Sequence, residues 1–129
     1  MLPERLRSYF AIRVRKDWNY RRRMETGAAM RWLKPEATDT VLDIGCGNGT
    51  YDFRIARRSA GVIGFDLNRG ELLKAARNHA SRRVVYLASD AHAMPVAQGA
   101  FDIVLSLCVF EHLPDDLLKE SPCEASKLV

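Results

Sequence analysis

A chain of 129 residues, 47% hydrophobic and 28% charged, can bury one hydrophobic core but not two. Its net charge of +4 belongs to the first segment: Met1 to Lys34 holds ten Arg or Lys against three acids, leaving ten against thirteen of the totals of 20 and 16 for the remainder. No apolar run reaches the roughly 20 residues of a membrane span, the N-terminus alternates charge with hydrophobic residues unlike a signal peptide, and Cys46, Cys108 and Cys123 match no metal-ligand spacing, so a membrane protein, a disulfide scaffold and a zinc module are all disfavoured and a reducing cytoplasm is expected.

From about Leu6 to Leu33 apolar residues recur at helical spacing, with Leu6, Phe10, Val14 and Trp18 four apart and Arg7, Arg13, Arg15 and Arg21 to Arg23 mostly elsewhere, which predicts an amphipathic helical arm over 1–35. Its basic side reads as a solvated face rather than a nucleic-acid surface, because aromatic and basic residues do not interleave in a recognition motif. Pro35 and the polar run Glu36 to Thr40 end the arm, since proline cannot continue a helix.

An alternating α/β pattern follows over 36–120. Thr40 to Ile44 predicts a buried strand, Tyr51 to Arg58 a helix that Gly61 can terminate, and Val62 to Phe65 a second strand. Asn68 is placed to cap the next helix, with Glu71 in capping-box position and Leu72, Leu73, Ala75, Ala76 and Ala80 as the expected buried face. Val84 to Ala88 and Phe101 to Leu107 read as the third and fourth strands, and Pro114, Asp115 and Asp116 open a last helix that Pro122 stops, leaving 121–129 as an irregular tail. Strands and helices alternating at this spacing predict a Rossmann-like parallel sheet, covered on both faces, with ligands beyond the carboxyl ends of its strands.

The residues just after the strands carry the chemistry. Gly45, Gly47 and Gly49, interleaved with Cys46 and Asn48, let the backbone turn tightly and approach a ligand without Cβ atoms in the way. A dinucleotide fingerprint would need its third glycine where Thr50 stands, so the spacing is GxGxG and the NAD-dependent oxidoreductase reading is disfavoured. Asp43, at the end of the first strand, suits a cationic amino group or its hydration shell better than a pyrophosphate, which it would repel. Asp66 stands 17 residues after Gly49, close to the spacing at which an acid accepts hydrogen bonds from ribose hydroxyls.

In combination, VLDIGCGNG, GFDLN and SDAHAMPVAQGAFDIVLSLCVFEHLPD resemble the successive motifs of class I S-adenosylmethionine-dependent methyltransferases, especially small-molecule enzymes of the ubiquinone and menaquinone biosynthesis type. The resemblance covers about Thr40 to Glu120. It implies S-adenosyl-L-methionine as cofactor and a small-molecule methyl acceptor, with Asp43 and the loop Gly45, Cys46, Gly47, Asn48 and Gly49 around the methionine part. It further implies Asp66 on the ribose, Leu67 on the adenine, Asp90, Ala91 and Met94 near the adenine ring, and Ser106 and Leu107 at the cofactor's amino group. Transfer to an oxygen or acidic carbon is helped by a base, and His112 is the residue to which that role is assigned. Tyr9, Trp18 and Tyr20 in the leading arm are candidate lid residues by the same resemblance.

The family's sheet continues past a fourth strand through a basic, proline- and glycine-containing segment, whereas Glu120 here is followed by Ser121 to Val129. The expectation is therefore a truncated form or fragment whose fourth strand becomes an edge, prone to self-association. A non-catalytic S-adenosylmethionine-binding module is the alternative to an active enzyme.

Overall fold

A computed structural model describes residues 30, 31, 33–90 and 93–106. The N-terminal arm other than residues 30, 31 and 33–35, the last helix, the tail, and the site residues Ala91, Leu107 and His112 lie outside the described residues. The described elements are β1 (Thr40–Ile44), α1 (Thr50–Ala56), β2 (Gly61–Asp66), α2 (Arg69–Asn78), β3 (Val84–Ala88) and β4 (Ile103–Leu105). The four strands form one parallel sheet in the order β3-β2-β1-β4. The chain therefore runs outward from β1 through β2 to β3, then returns to the other side of β1, and the order reverses between β1 and β4.

Strand alternation sorts the core into two layers. Val41, Val62, Ile103 and Leu105 face one side, where Ile55 and Ala56 of α1 and Leu33 cover them. Leu42, Ile44, Phe65 and Val104 face the other, where Phe101, Met94 and Val96 pack. Burying each of these large side chains contributes roughly 1.5–3 kcal/mol. Both helices lie on the first face: the Phe53 and His79 rings sit 5.5 Å apart, and the Tyr86 hydroxyl, on that face of β3, donates to the His79 carbonyl at 3.2 Å.

Several local expectations are corrected. Among the described residues, the 93–101 segment packs on the second face over β1, β2 and β4, and Val85 and Leu87 of β3 are 50% and 41% exposed. Gly61 does not end α1; it opens β2 opposite Thr40, and the helix ends in a tightened turn through Arg57 N–H to Arg54 and Arg58 N–H to Ile55. Leu72 and Ala75 of α2 are buried while Leu73 and Ala76, and Ala80 just past its end, are exposed, because the short helix touches β3 and β2 along a narrow stripe. The capping box is half formed: Asn68 Oδ1 accepts from Glu71 N–H at 3.2 Å, but the Asn68 N–H goes to Asp66 Oδ1 at 2.7 Å and Glu71 pairs with Lys74 at 2.6 Å. The fourth strand is Ile103–Leu105, with Phe101 packing before it and Asp102 tying its start to Thr40 through N–H and Oγ1 bonds of 2.8 and 3.0 Å.

Candidate functional site

The carboxyl ends of β1, β2 and β4 converge on the glycine loop. Gly45, Gly47 and Gly49 have φ of 80°, 56° and 76°, the left-handed region that side chains with a Cβ enter at a cost. The loop is pinned from below: Gly45 and Cys46 N–H both donate to the Phe65 carbonyl, at 2.7 and 2.9 Å. A Cβ on Gly47 would meet nothing within 4 Å, whereas one on Gly49 would run into the Tyr86 ring and hydroxyl. Gly47 thus keeps an open face clear, and Gly49 makes room for packing.

Asp66 latches this loop. Its Oδ2 accepts from Gly47 N–H at 2.8 Å and its Oδ1 from Asn68 N–H at 2.7 Å, so one half-buried carboxylate spans the loop after β1 and the turn after β2. A carboxylate has about four lone-pair positions, which leaves acceptor capacity beyond these two bonds. Leu67, next in the chain, is 69% exposed beside it.

Other site residues have local duties. Asn48 Oδ1 accepts from Thr50 N–H at 3.3 Å and Thr50 Oγ1 at 2.7 Å, so its side chain starts α1, whose N-cap residue Gly49 has none to offer. Cys46 is a buried free thiol, turned under the loop toward Gly64 and pushed up by burial and then by the charges of Asp52, Asp43 and Asp66, so it contributes packing rather than a nucleophile. Ser106 is buried and its Oγ donates to the Ile44 carbonyl at 3.2 Å, joining the ends of β4 and β1. Met94 packs on the second core layer. Asp90 is exposed, its carbonyl accepting from Ala93 N–H at 3.1 Å.

Asp43 is 2% exposed and faces α1, and there it meets a residue that sequence reasoning missed: Asp52, completely buried in the first turn of that helix. Gly64 pairs with Asp43 across β1 and β2; a Cβ there would lie 2.5 Å from Asp52 Oδ2 and 2.8 Å from Cys46 Sγ, so the missing side chain opens the space both occupy. Among the described residues, neither Asp52 oxygen nor Asp43 Oδ1 has a backbone or side-chain hydrogen bond to offset its burial. The two carboxyls are within hydrogen-bonding reach of each other, an arrangement that is favourable only with a proton between them. Burial raises Asp43 to about 6 and lifts Asp52 well above the carboxylate range. The signal for Asp52 was its i, i+3, i+4 spacing to Ile55 and Ala56, which puts it on the buried stripe of α1.

Comparison with known proteins decides the family. A methyltransferase-domain family model matches residues 41–128, more than half of the chain. The chain belongs to that family. Its α/β architecture is that of class I S-adenosylmethionine-dependent methyltransferases. A ubiquinone biosynthesis O-methyltransferase of Ruegeria sp. (strain TM1040) is 41% identical over 86 residues, 64% of this chain and 34% of the relative. Among solved structures, the YcgJ protein of Bacillus subtilis superposes with a TM-score of 0.75 at 21% identity, covering 83% of this chain and 46% of that one. Magnesium protoporphyrin IX methyltransferase of Synechocystis PCC 6803, crystallised with bound S-adenosylhomocysteine, gives 0.72 at 19%, covering 84% and 52%. The chain spans about a third of the length of the curated relatives it matches. No helix among the described residues is long and apolar enough to cross a membrane.

Proposed function

We propose that the glycine loop holds S-adenosylmethionine and that the chain supplies the cofactor-binding part of a methyltransferase acting on an oxygen of a small molecule, the reaction type named for its relatives. The observation that carries this reading is Gly47: its φ of 56° and open Cβ direction leave a clear face, its amide is latched by Asp66, and it lies beside the point where strand order reverses, where parallel sheets take their ligands. The residues fit the group. A bulky adenosyl ligand needs a cradle without Cβ atoms, a carboxylate with spare acceptor capacity for ribose hydroxyls, and negative charge for a cationic amino group; the loop, Asp66 and Asp43 supply these in turn.

When bound, the cofactor supplies a methyl group on a sulfonium, which is already an activated electrophile. The chain's contribution is then to orient and to exclude water. Asp66, held by two backbone amides, is pre-aligned for the ribose, and Leu67 offers an exposed apolar surface for the adenine, with Asp90, Ala91 and Met94 assigned to the same ring. Ser106 anchors the floor between β1 and β4, and it and Leu107 are assigned to the amino-acid end. His112 is assigned as the base that takes the acceptor's proton. A cytoplasmic setting, in which Cys46 stays reduced, completes the proposal.

Titration calorimetry with S-adenosylmethionine and S-adenosylhomocysteine tests it. The wild-type chain is expected to bind both, and Asp66→Ala to bind at least about tenfold more weakly, since a hydrogen bond to a charged group contributes about 1.5–3 kcal/mol. A folded wild-type chain that binds neither compound at millimolar concentration would overturn the assignment. Turnover with labelled cofactor and a hydroxylated small aromatic then separates an active enzyme from a binding module.

A further inference from the structure

The buried acid Asp52 has no role in the binding scheme above, yet it occupies the most constrained position near the loop. It is completely buried, sits in the first turn of α1, and fits only because position 64 carries no Cβ. An isolated buried carboxylate would be strongly unfavourable. The side chains within hydrogen-bonding reach of it are the Cys46 thiol and Asp43, the acid that leads into the glycine loop. Resting on the proposed cofactor site, we propose that Asp52 is a positioning residue: as a neutral acid it donates a hydrogen bond to Asp43, fixing that carboxylate as the anion that receives the cationic end of S-adenosylmethionine.

The surroundings favour this division of charge. Among the described residues, the titratable groups facing the pair are Asp66 at the end of β2, Cys46 in the loop and Tyr86 on β3; none of these brings positive charge to offset two adjacent anions. The proton belongs on Asp52, whose burial and proximity to Asp43 both raise it, while Asp43 titrates at about 6 and is lowered by the bond it accepts from Asp52. Near neutral pH Asp43 is therefore charged and Asp52 is not. No proton leaves the pair when ligand binds; the hydrogen bond orients Asp43 and keeps it ionised.

The test is calorimetric titration of the 129-residue chain with S-adenosylmethionine from pH 5 to 8, for wild type, Asp52→Asn and Asp52→Leu, with circular dichroism to verify folding. Wild-type affinity is expected to be level above pH 7 and to fall by up to about tenfold per unit below about 6, as Asp43 gains a proton. Asp52→Asn, whose amide still donates, should keep that midpoint within about half a unit. Asp52→Leu, which cannot donate, should move the midpoint upward and weaken binding at pH 7 by about tenfold or more. An unchanged midpoint in the leucine variant, or an asparagine variant as impaired as leucine, overturns the proposal. Should Asp52→Leu fail to fold, ¹³C-carboxyl spectroscopy decides between wild type and Asp52→Asn: a carboxyl that stays protonated above pH 7 must be present in the first and absent in the second. Failure of wild type to bind at any pH would instead refute the cofactor site itself.

Discussion

Raising the pH should weaken the contribution of the Asp43–Asp52 pair to folding, opposite to the usual behaviour of salt-bridged carboxylates. Asp43 is raised from 3.8 to about 6 by burial, with Asp66 adding to the rise. Between those values the folded chain keeps a proton that the unfolded chain has lost, so unfolding free energy falls with pH across the window. The stability tied to Asp43 is fully present below pH 3.8 and lost once pH passes about 6. The difference of about 2.2 units, at about 1.36 kcal/mol each, is worth about 3 kcal/mol. No discount for solvent screening applies to a side chain that is 2% exposed. Asp52, raised well above the carboxylate range, extends the decline to higher pH. The double variant Asp43→Asn, Asp52→Asn removes both protons while keeping size and hydrogen-bonding capacity. Urea unfolding followed by circular dichroism at pH 4.5, 6 and 7.5 should show wild type losing at least about 2 kcal/mol relative to the variant over that range, the part of the Asp43 contribution still present at pH 4.5, with Asp52 adding to it, because other carboxylates cancel in the difference. Parallel pH profiles for the two proteins, within about 0.5 kcal/mol, would refute the buried proton.

Two glycines should separate folding from ligand binding. Gly64→Ala forces a Cβ to 2.5 Å from Asp52 Oδ2 and 2.8 Å from Cys46 Sγ and should cost about 1–3 kcal/mol in urea unfolding, whereas Gly47→Ala meets no protein atom within 4 Å, should cost only about 1–2 kcal/mol for its left-handed φ, and should nonetheless lose S-adenosylmethionine binding by calorimetry. Phe65→Ala, which empties the centre of the second core layer from a side chain 1% exposed, should lower stability by about 3–5 kcal/mol, measured as a drop in the urea midpoint at unchanged slope.

The sequence by itself determined the features whose causes are local. The apolar runs at Thr40–Ile44, Gly61–Asp66 and Val84–Ala88 form the strands expected of them within a residue, the three alternating glycines adopt positive φ, and Asn68 caps α2, because strand propensity, glycine's missing Cβ and a short acceptor side chain act over a few residues. The position of Asp66 at the end of β2 was legible for the same reason. Only the tertiary structure decided what depends on residues distant in the chain. It brought Asp52 beneath the loop and against Asp43, opened the space for it at Gly64, gave Asn48 to the start of α1, and exposed Leu73 and Ala76 on a helix with little sheet beneath it. A polar residue inside a helical pattern reads as solvated until packing closes over it, and burial then sets where its proton resides.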